Sequence, residues 1–335
     1  MSKKALIITY YEAPNYGAFL QAYATQSFLR AHGVECWICK HCANKPNLLT
    51  KLLDKRIPSE VIAYRQEIQA KIDEVQKYLQ ISGNKASEYD LAIIGSDEVW
   101  NIKNLTAVHL PVFFQPYKRA VKTVAYGACA GKCQAKHMKL LPYTSGIRKL
   151  DAVSVRDAHT WDMARDLGIT DPVRVLDPTF LYPFEKELPP RAMAEDYILV
   201  YTYGLSQDQI RGIQEFARKR NLKIVATGSK CEWADENPLP SPFEWLSLIK
   251  HSAYVITSTF HGTVFGIIFN KQFATVGNRS NKVSSLLKEL RLEDRLVSES
   301  AGLDEKLEAV IDYGPVNTIK QQRVNESAQF ILNNL

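Results

Sequence analysis

Short apolar runs rich in β-branched residues alternate along the chain with longer stretches in which apolar positions recur every three or four residues. That is the pattern of repeated strand and helix units building a mostly parallel sheet. In the first half the strand-like runs are Ala5 to Thr9, Val34 to Ile38, Leu91 to Ile94, Thr123 to Tyr126, Ala152 to Val155 and Val173 to Leu176. Phe19 to Ala31 has helical spacing, and Gly33 then offers a left-handed stop. Leu48 to Gln80 also reads as helical and charge-rich, an excursion lying outside the sheet. Tyr182 to Asp196 carries three prolines, many charges and no strong period, as a linker does. The alternation then restarts with Ile198 to Tyr203, Lys223 to Thr227, Tyr254 to Thr257 and Phe273 to Val276, each followed by a helical pattern. Val316 to Leu335 has helical spacing with no strand after it, which predicts a helix packing back across the domain boundary. The expected fold is α/β with two Rossmann-like domains: residues 1–182 with a helical excursion at about 45–87, a linker at 183–196, a second domain at 197–315 and a C-terminal helix at 316–335.

Composition narrows the classes. With 335 residues, 46% hydrophobic and 23% charged, the chain is long enough for two packed domains and too apolar for disorder. No uncharged run reaches the ~18 residues of a membrane span, and the start is too short for a signal peptide. Forty-two basic against 36 acidic residues give +6, an excess suited to anionic small molecules or an anionic membrane surface. No basic stripe with interleaved aromatics is present, so nucleic acid is not an expected partner. Six cysteines without a secretory signal point to a reducing cytoplasm rather than a disulfide framework. Cys36-Trp-Ile-Cys39-Lys-His41-Cys42 has metal-like spacing, but Cys36 and Cys39 fall on a strand at an odd separation and should face opposite sides, so no metal is expected.

Ligands of parallel α/β sheets bind beyond the carboxyl ends of the strands, so the candidate chemistry lies in the residues just after each strand. In the first half these are Asn15-Tyr-Gly17, Gly95-Ser96-Asp97, Tyr126-Gly127, Arg156-Asp157 and Asp177-Pro-Thr179; in the second, Gly204, Gly228-Ser229, Ser258 to Thr263 and Gly277-Asn-Arg279. His261 would stand at a helix start, where free N–H groups attract an anion, or would cap or pack the corner. Arg156 emerges at a strand end, where a guanidinium can hold phosphate or carboxylate bidentately or pair with Asp157. Asp97 would cap a following helix or act as a base toward a hydroxyl. The chain has neither G-x-G-x-x-G opening a helix nor G-K-[ST], so dinucleotide and P-loop readings lose weight.

Gly95-Ser-Asp-Glu-Val-Trp-Asn101 and Ser258-Thr-Phe-His-Gly262 together resemble the polysaccharide pyruvyl transferase family. The likeness covers nearly the whole chain and includes Asn15-Tyr-Gly17, Val153-Ser-Val-Arg-Asp157, Asp177-Pro-Thr179 and Asn281-Lys-Val-Ser-Ser-Leu-Leu287. It implies a glycosyltransferase-B-like domain pair. It also implies transfer of pyruvate from phosphoenolpyruvate, the donor substrate, to a pair of sugar hydroxyls as a cyclic ketal on a bacterial surface polysaccharide precursor. No cofactor is needed. The resemblance implies an arginine and a histidine at the phosphoenolpyruvate site, in positions that match Arg156 and His261; the chemistry then assigns His261 as phosphate ligand and acid, Arg156 as anion clamp and Asp97 as candidate base, with Asn15 orienting acceptor or donor and Gly17, Ser96, Phe260 and Gly262 lining the substrate. Some members carry a basic residue two before the histidine; here it is Thr259, which shifts the phosphate contact to Arg279 or Lys282. A lipid-linked acceptor would draw the enzyme to the inner membrane face through basic residues between Lys51 and Lys77. Competing expectations are a nucleotide-sugar glycosyltransferase of the same fold and a noncatalytic binding protein of a polysaccharide cluster.

Overall fold

A computed structural model of the chain describes residues 2–40, 58–82, 88–104, 111–139, 141–277, 280–297 and 302–335. The chain forms two compact units, one of Met1–Pro58, Asp73–Pro183 and Gln321–Leu335, the other of Ser59–Ile72 and Phe184–Lys320.

The first unit is built on a parallel sheet of β1 (Lys4–Ile8), β2 (Glu35–Ile38), β3 (Tyr89–Ile94), β4 (Ala120–Ala128), β5 (Ala152–Val155) and β6 (Val173–Arg174), in the order β2-β1-β3-β4-β5-β6. The central strands are continuous apolar runs because helices cover both faces, so Leu6, Ile8, Ala92, Ile94 and Ala125 are fully or almost fully buried. Helix Tyr16–Ala31 starts where Asn15 Oδ1 accepts the Gly17 N–H at 2.9 Å. It buries Gln21 and Gln26 as well as its apolar face. These amides are bonded: Gln26 Nε2 donates to Gln80 O at 2.9 Å, and Gln80 N–H donates back to Gln26 Oε1 at 2.8 Å.

The second unit carries β7 (Tyr197–Tyr201), β8 (Lys223–Thr227), β9 (Tyr254–Thr257), β10 (Gln272–Val276) and β11 (Leu296–Val297), all parallel, in the order β11-β10-β9-β7-β8. Its helices start on strong local signals. Ser206 with Gln209 and Ser241 with Glu244 form reciprocal capping boxes, the second with Pro242 opening the helix.

Three features refine the sequence reading. β11 was not expected, because a two-residue strand leaves no periodic signal. Helix Ser59–Val75 lies in the expected excursion, yet Ser59–Ile72 groups with the second unit, where the Tyr64 phenol lies beside the Gly228 amide. The last helix, Tyr313–Leu332, sends Gln321–Leu335 to the first unit. There Ser327 Oγ accepts the Leu176 N–H at 2.9 Å, Arg323 donates to Arg174 O at 2.7 Å, and Phe330 packs on Tyr126. These bonds fix the chain as it leaves β6.

Candidate functional site

In both sheets the strand order reverses beside the first strand, which makes β1/β3 and β7/β9 the switch points where loops part and leave a crevice. The candidate residues collect at these two places.

At the first switch point Thr9 Oγ1 donates to Ser96 O at 3.2 Å and takes a bond from Gln21 Nε2 at 3.0 Å. The loop after β3 must pass close to β4, because a Cβ on Gly95 would lie 2.5 Å from Tyr126 O. Asp97 comes next with φ of +66°, a left-handed conformation that aspartate tolerates through local bonding. Its Oδ1 accepts the Glu98 N–H at 2.8 Å. No helix starts directly after it, so Asp97 is not a helix cap. Asp157 and Asp177 take cap positions instead: Asp157 accepts from Thr160 N–H, and Asp177 accepts from Thr179 N–H.

Arg156 stands between carboxylates. Nη1 is 2.7 Å from Asp177 Oδ2, and Nη2 is 3.3 Å from Asp97 Oδ1. The guanidinium is 1% exposed, whereas the Asp97 side chain is 18% exposed. Burial works against the charge, but the Cys129 sulfur and the carboxylates of Asp177, Asp97 and Glu98 outweigh it and hold the arginine pKa above its ordinary value. The structure sets Arg156 between two carboxylates, and its carboxylate partners are Asp97 and Asp177 rather than Asp157.

At the second switch point Ser258 Oγ accepts the Tyr203 N–H at 2.8 Å, tying the loops after β7 and β9 together. Thr259 caps helix Phe260–Ile268 by accepting the Gly262 N–H at 3.0 Å, which gives the non-basic residue at this position a structural reason. His261, 7% exposed, lies in the first turn of that helix, which has no acidic residue to oppose an anion. Phe260 adjoins it, and the Lys282 ammonium lies 5.5 Å from the Phe260 ring centroid. Lys282 belongs to the first turn of helix Asn281–Glu289, which likewise starts without an acidic residue. Two helix starts and a lysine thus meet around Phe260. Arg279 lies outside the described residues, as do His41 and Cys42.

A family profile described as polysaccharide pyruvyl transferase matches residues 15–281, from the cap Asn15 to the helix carrying Lys282. The chain belongs to the polysaccharide pyruvyl transferase family. No curated protein matches it in sequence. Among solved structures, the UDP-GlcNAc 2-epimerase of Methanocaldococcus jannaschii in complex with UDP-GlcNAc and UDP is similar at a TM-score of 0.55 and 10% identity, covering 98% of each chain. The UDP-GlcNAc 2-epimerase of Neisseria meningitidis bound to UDP-GlcNAc gives 0.56 and 10% over 99% of each. These likenesses establish a glycosyltransferase-B-like fold.

In this member of the family the first unit brings Ser96, Asp97 and Arg156 together, with Asn15 and Gly17 at the start of the helix after β1; the second groups Phe260, His261, Gly262 and Lys282 at two helix starts. Sequence reasoning named the Asp177 loop but gave Asp177 no role. The signal was its place after a strand, followed by proline and threonine. Among the described residues no cluster of histidine, cysteine and carboxylates could hold a metal. Burial pushes the Cys36 thiol up to about 11, as suits a thiol bonded to Gln26 O. No helix among the described residues is long and apolar enough to cross a membrane.

Proposed function

We propose that the chain moves pyruvate from phosphoenolpyruvate to a pair of sugar hydroxyls as a cyclic ketal, in the assembly of a capsular or extracellular polysaccharide. Within the family, the observation that carries this reading is the anion-favouring corner of the second unit, where His261 and Lys282 lie in the first turns of two helices around Phe260. The phosphate binds there, with His261 as ligand and as the acid that protonates C3. Protonation makes C2 electrophilic. One sugar hydroxyl adds to C2, phosphate leaves by cleavage of its C2–O bond, and the second hydroxyl closes the ketal. Of the two hydroxyl protons, one balances the proton gained at C3 and the other leaves with phosphate.

Asp97 is the base toward the acceptor hydroxyl, and Arg156 holds Asp97 rather than the donor. A lipid-linked acceptor would bring the enzyme to the inner membrane face, with its basic residues toward anionic lipid.

The test is thermal stabilisation by phosphoenolpyruvate against UDP-GlcNAc and other nucleotide sugars, followed by detection of released phosphate and of a pyruvyl ketal on the sugar. A ligand at a hundredfold excess over its Kd stabilises by about 2.7 kcal/mol. A shift with phosphoenolpyruvate that is reduced in His261→Ala and Lys282→Ala is the expected result. A shift with a nucleotide sugar alone would make the enzyme a glycosyltransferase, and binding without turnover would make it a binding protein.

A further inference from the structure

Asp177 is fully buried, and both of its oxygens are engaged. Oδ1 accepts from Thr179 N–H at 3.1 Å and from Thr179 Oγ1 at 2.8 Å. Oδ2 accepts from Arg156 Nη1 at 2.7 Å and lies 3.3 Å from Ser96 Oγ. The residue before it, Leu176, is anchored by Ser327. Asp177 is therefore fixed from behind by its own turn and by the last helix, and it meets Arg156 at the front.

Arg156 passes this placement on. With Nη1 held by Asp177, Nη2 reaches Asp97 Oδ1 at 3.3 Å. Both bonds to the Asp97 side chain, from Arg156 and from Glu98 N–H, fall on Oδ1. Among the described residues none donates to Oδ2, and Asp97 is the more exposed of the two carboxylates on Arg156. One oxygen is clamped, and the other is presented.

We propose that Asp177 is a positioning residue of the transfer reaction. It orients Arg156, which holds Asp97 so that Oδ2 meets the acceptor hydroxyl. This rests on the reading of Asp97 as the base. An arginine can serve two carboxylates in this way because its donors form a rigid fork; a lysine ammonium cannot keep the same geometry. Asn at position 177 cannot replace the carboxylate. Both oxygens of Asp177 face N–H donors, so an amide must turn its own NH2 toward either Arg156 or Thr179.

The experiment is a cycle of Asp97→Asn, Asp177→Asn and the double variant. Turnover is measured with phosphoenolpyruvate and p-nitrophenyl glycosides of galactose, glucose and mannose, and crystal structures of the wild type and Asp177→Asn are compared. Asp97→Asn should lower kcat by about 10²- to 10⁴-fold. Asp177→Asn should lower kcat by about tenfold to a hundredfold with KM for phosphoenolpyruvate unchanged, and its structure should show Arg156 and Asp97 displaced. In the Asp97→Asn background the second substitution should cost no more than about twofold. Thr179→Val, which removes one bond to Asp177, should give a smaller kcat loss that also vanishes in that background, and it serves if Asp177→Asn does not fold.

Losses that multiply would mean Asp177 acts independently of Asp97 and would overturn the proposal, as would a structure of Asp177→Asn with Asp97 in place. An active Asp97→Asn would remove the base assignment itself, a failure distinct from loss of the positioning role alone.

Discussion

Gly262 stands where the second unit's helix start is packed most tightly, and Gly262→Ala tests that packing. An added Cβ would lie 2.1 Å from Thr257 Oγ1, 2.8 Å from Thr257 Cβ and 2.8 Å from Thr259 Oγ1. Thr257 has no room to yield. It is 0% exposed, its hydroxyl donates to Tyr201 O at 2.7 Å, and the same oxygen accepts the Thr259 N–H at 3.0 Å. Turning it away loses the bond to Tyr201 O and leaves the part-buried Thr259 N–H unmet, about 1–3 kcal/mol together. Shifting the helix instead breaks the Thr259 cap, about 1 kcal/mol, and forces its buried face out of register with the core, a further ~1–3 kcal/mol. The helix preference of alanine over glycine offsets up to about 1 kcal/mol. The net loss is about 1 kcal/mol, which lowers Tm by about 2–4 °C.

Gly212→Ala is the control. It lies inside helix Gln207–Lys219, and its Cβ would meet only Leu303 Cδ2 at 3.8 Å, an ordinary contact. The same substitution should there raise stability by about 1 kcal/mol. Differential scanning calorimetry of both variants reads the sign difference directly. If Gly262→Ala melts at or above wild type, the close approach of helix and strand is not as described, and the geometry placing His261 goes with it.

Two further outcomes are expected. Burial pushes the phenols of Tyr64 and Tyr197 up to about 12, so the folded state binds protons that the unfolded chain releases near pH 10. Stability should hold below about pH 10 and fall as pH rises toward 12. Urea midpoints measured across that range check this, and Tyr197→Phe, which removes the 2.8 Å bond to Leu248 O, should flatten the slope. Asn15→Ala should cost about 1 kcal/mol by removing the helix cap, and Asn15→Ser should restore most of it; equal urea midpoints for all three proteins would show the cap to be idle.

The strand series was legible because strands buried on both faces write continuous apolar runs into the sequence. Ala152–Val155, Lys223–Thr227 and Tyr254–Thr257 carry the predicted bounds. The same rule located the polar loops, since parallel strands send every following loop to one end of the sheet. What stayed hidden depends on contacts between distant segments. β11 is two residues long and exists because it pairs with β10. Helix Ser59–Val75 has a readable period, but nothing local says that most of it groups with the second unit.

Arg156 shows the same limit at the site. A cation at a strand end reads as a ligand for anions, because the sequence displays its charge and not its surroundings. The pairing that surrounds it joins residues 59 and 21 positions away along the chain, Asp97 and Asp177. Each of those carboxylates taken alone has a commoner use: one comes after a glycine and a serine as a helix cap would, the other precedes a proline. Only the parallel order β3-β4-β5-β6 brings the three loops to one edge. There a single guanidinium answers both charges, one carboxylate becomes the anchor, and the other is left with an oxygen toward solvent. On the proposed reading this end of the sheet meets the acceptor hydroxyl, a hydrogen-bond donor. The same reading sends the phosphate to the loops around His261 and Lys282, where no carboxylate stands in the first turn of either helix.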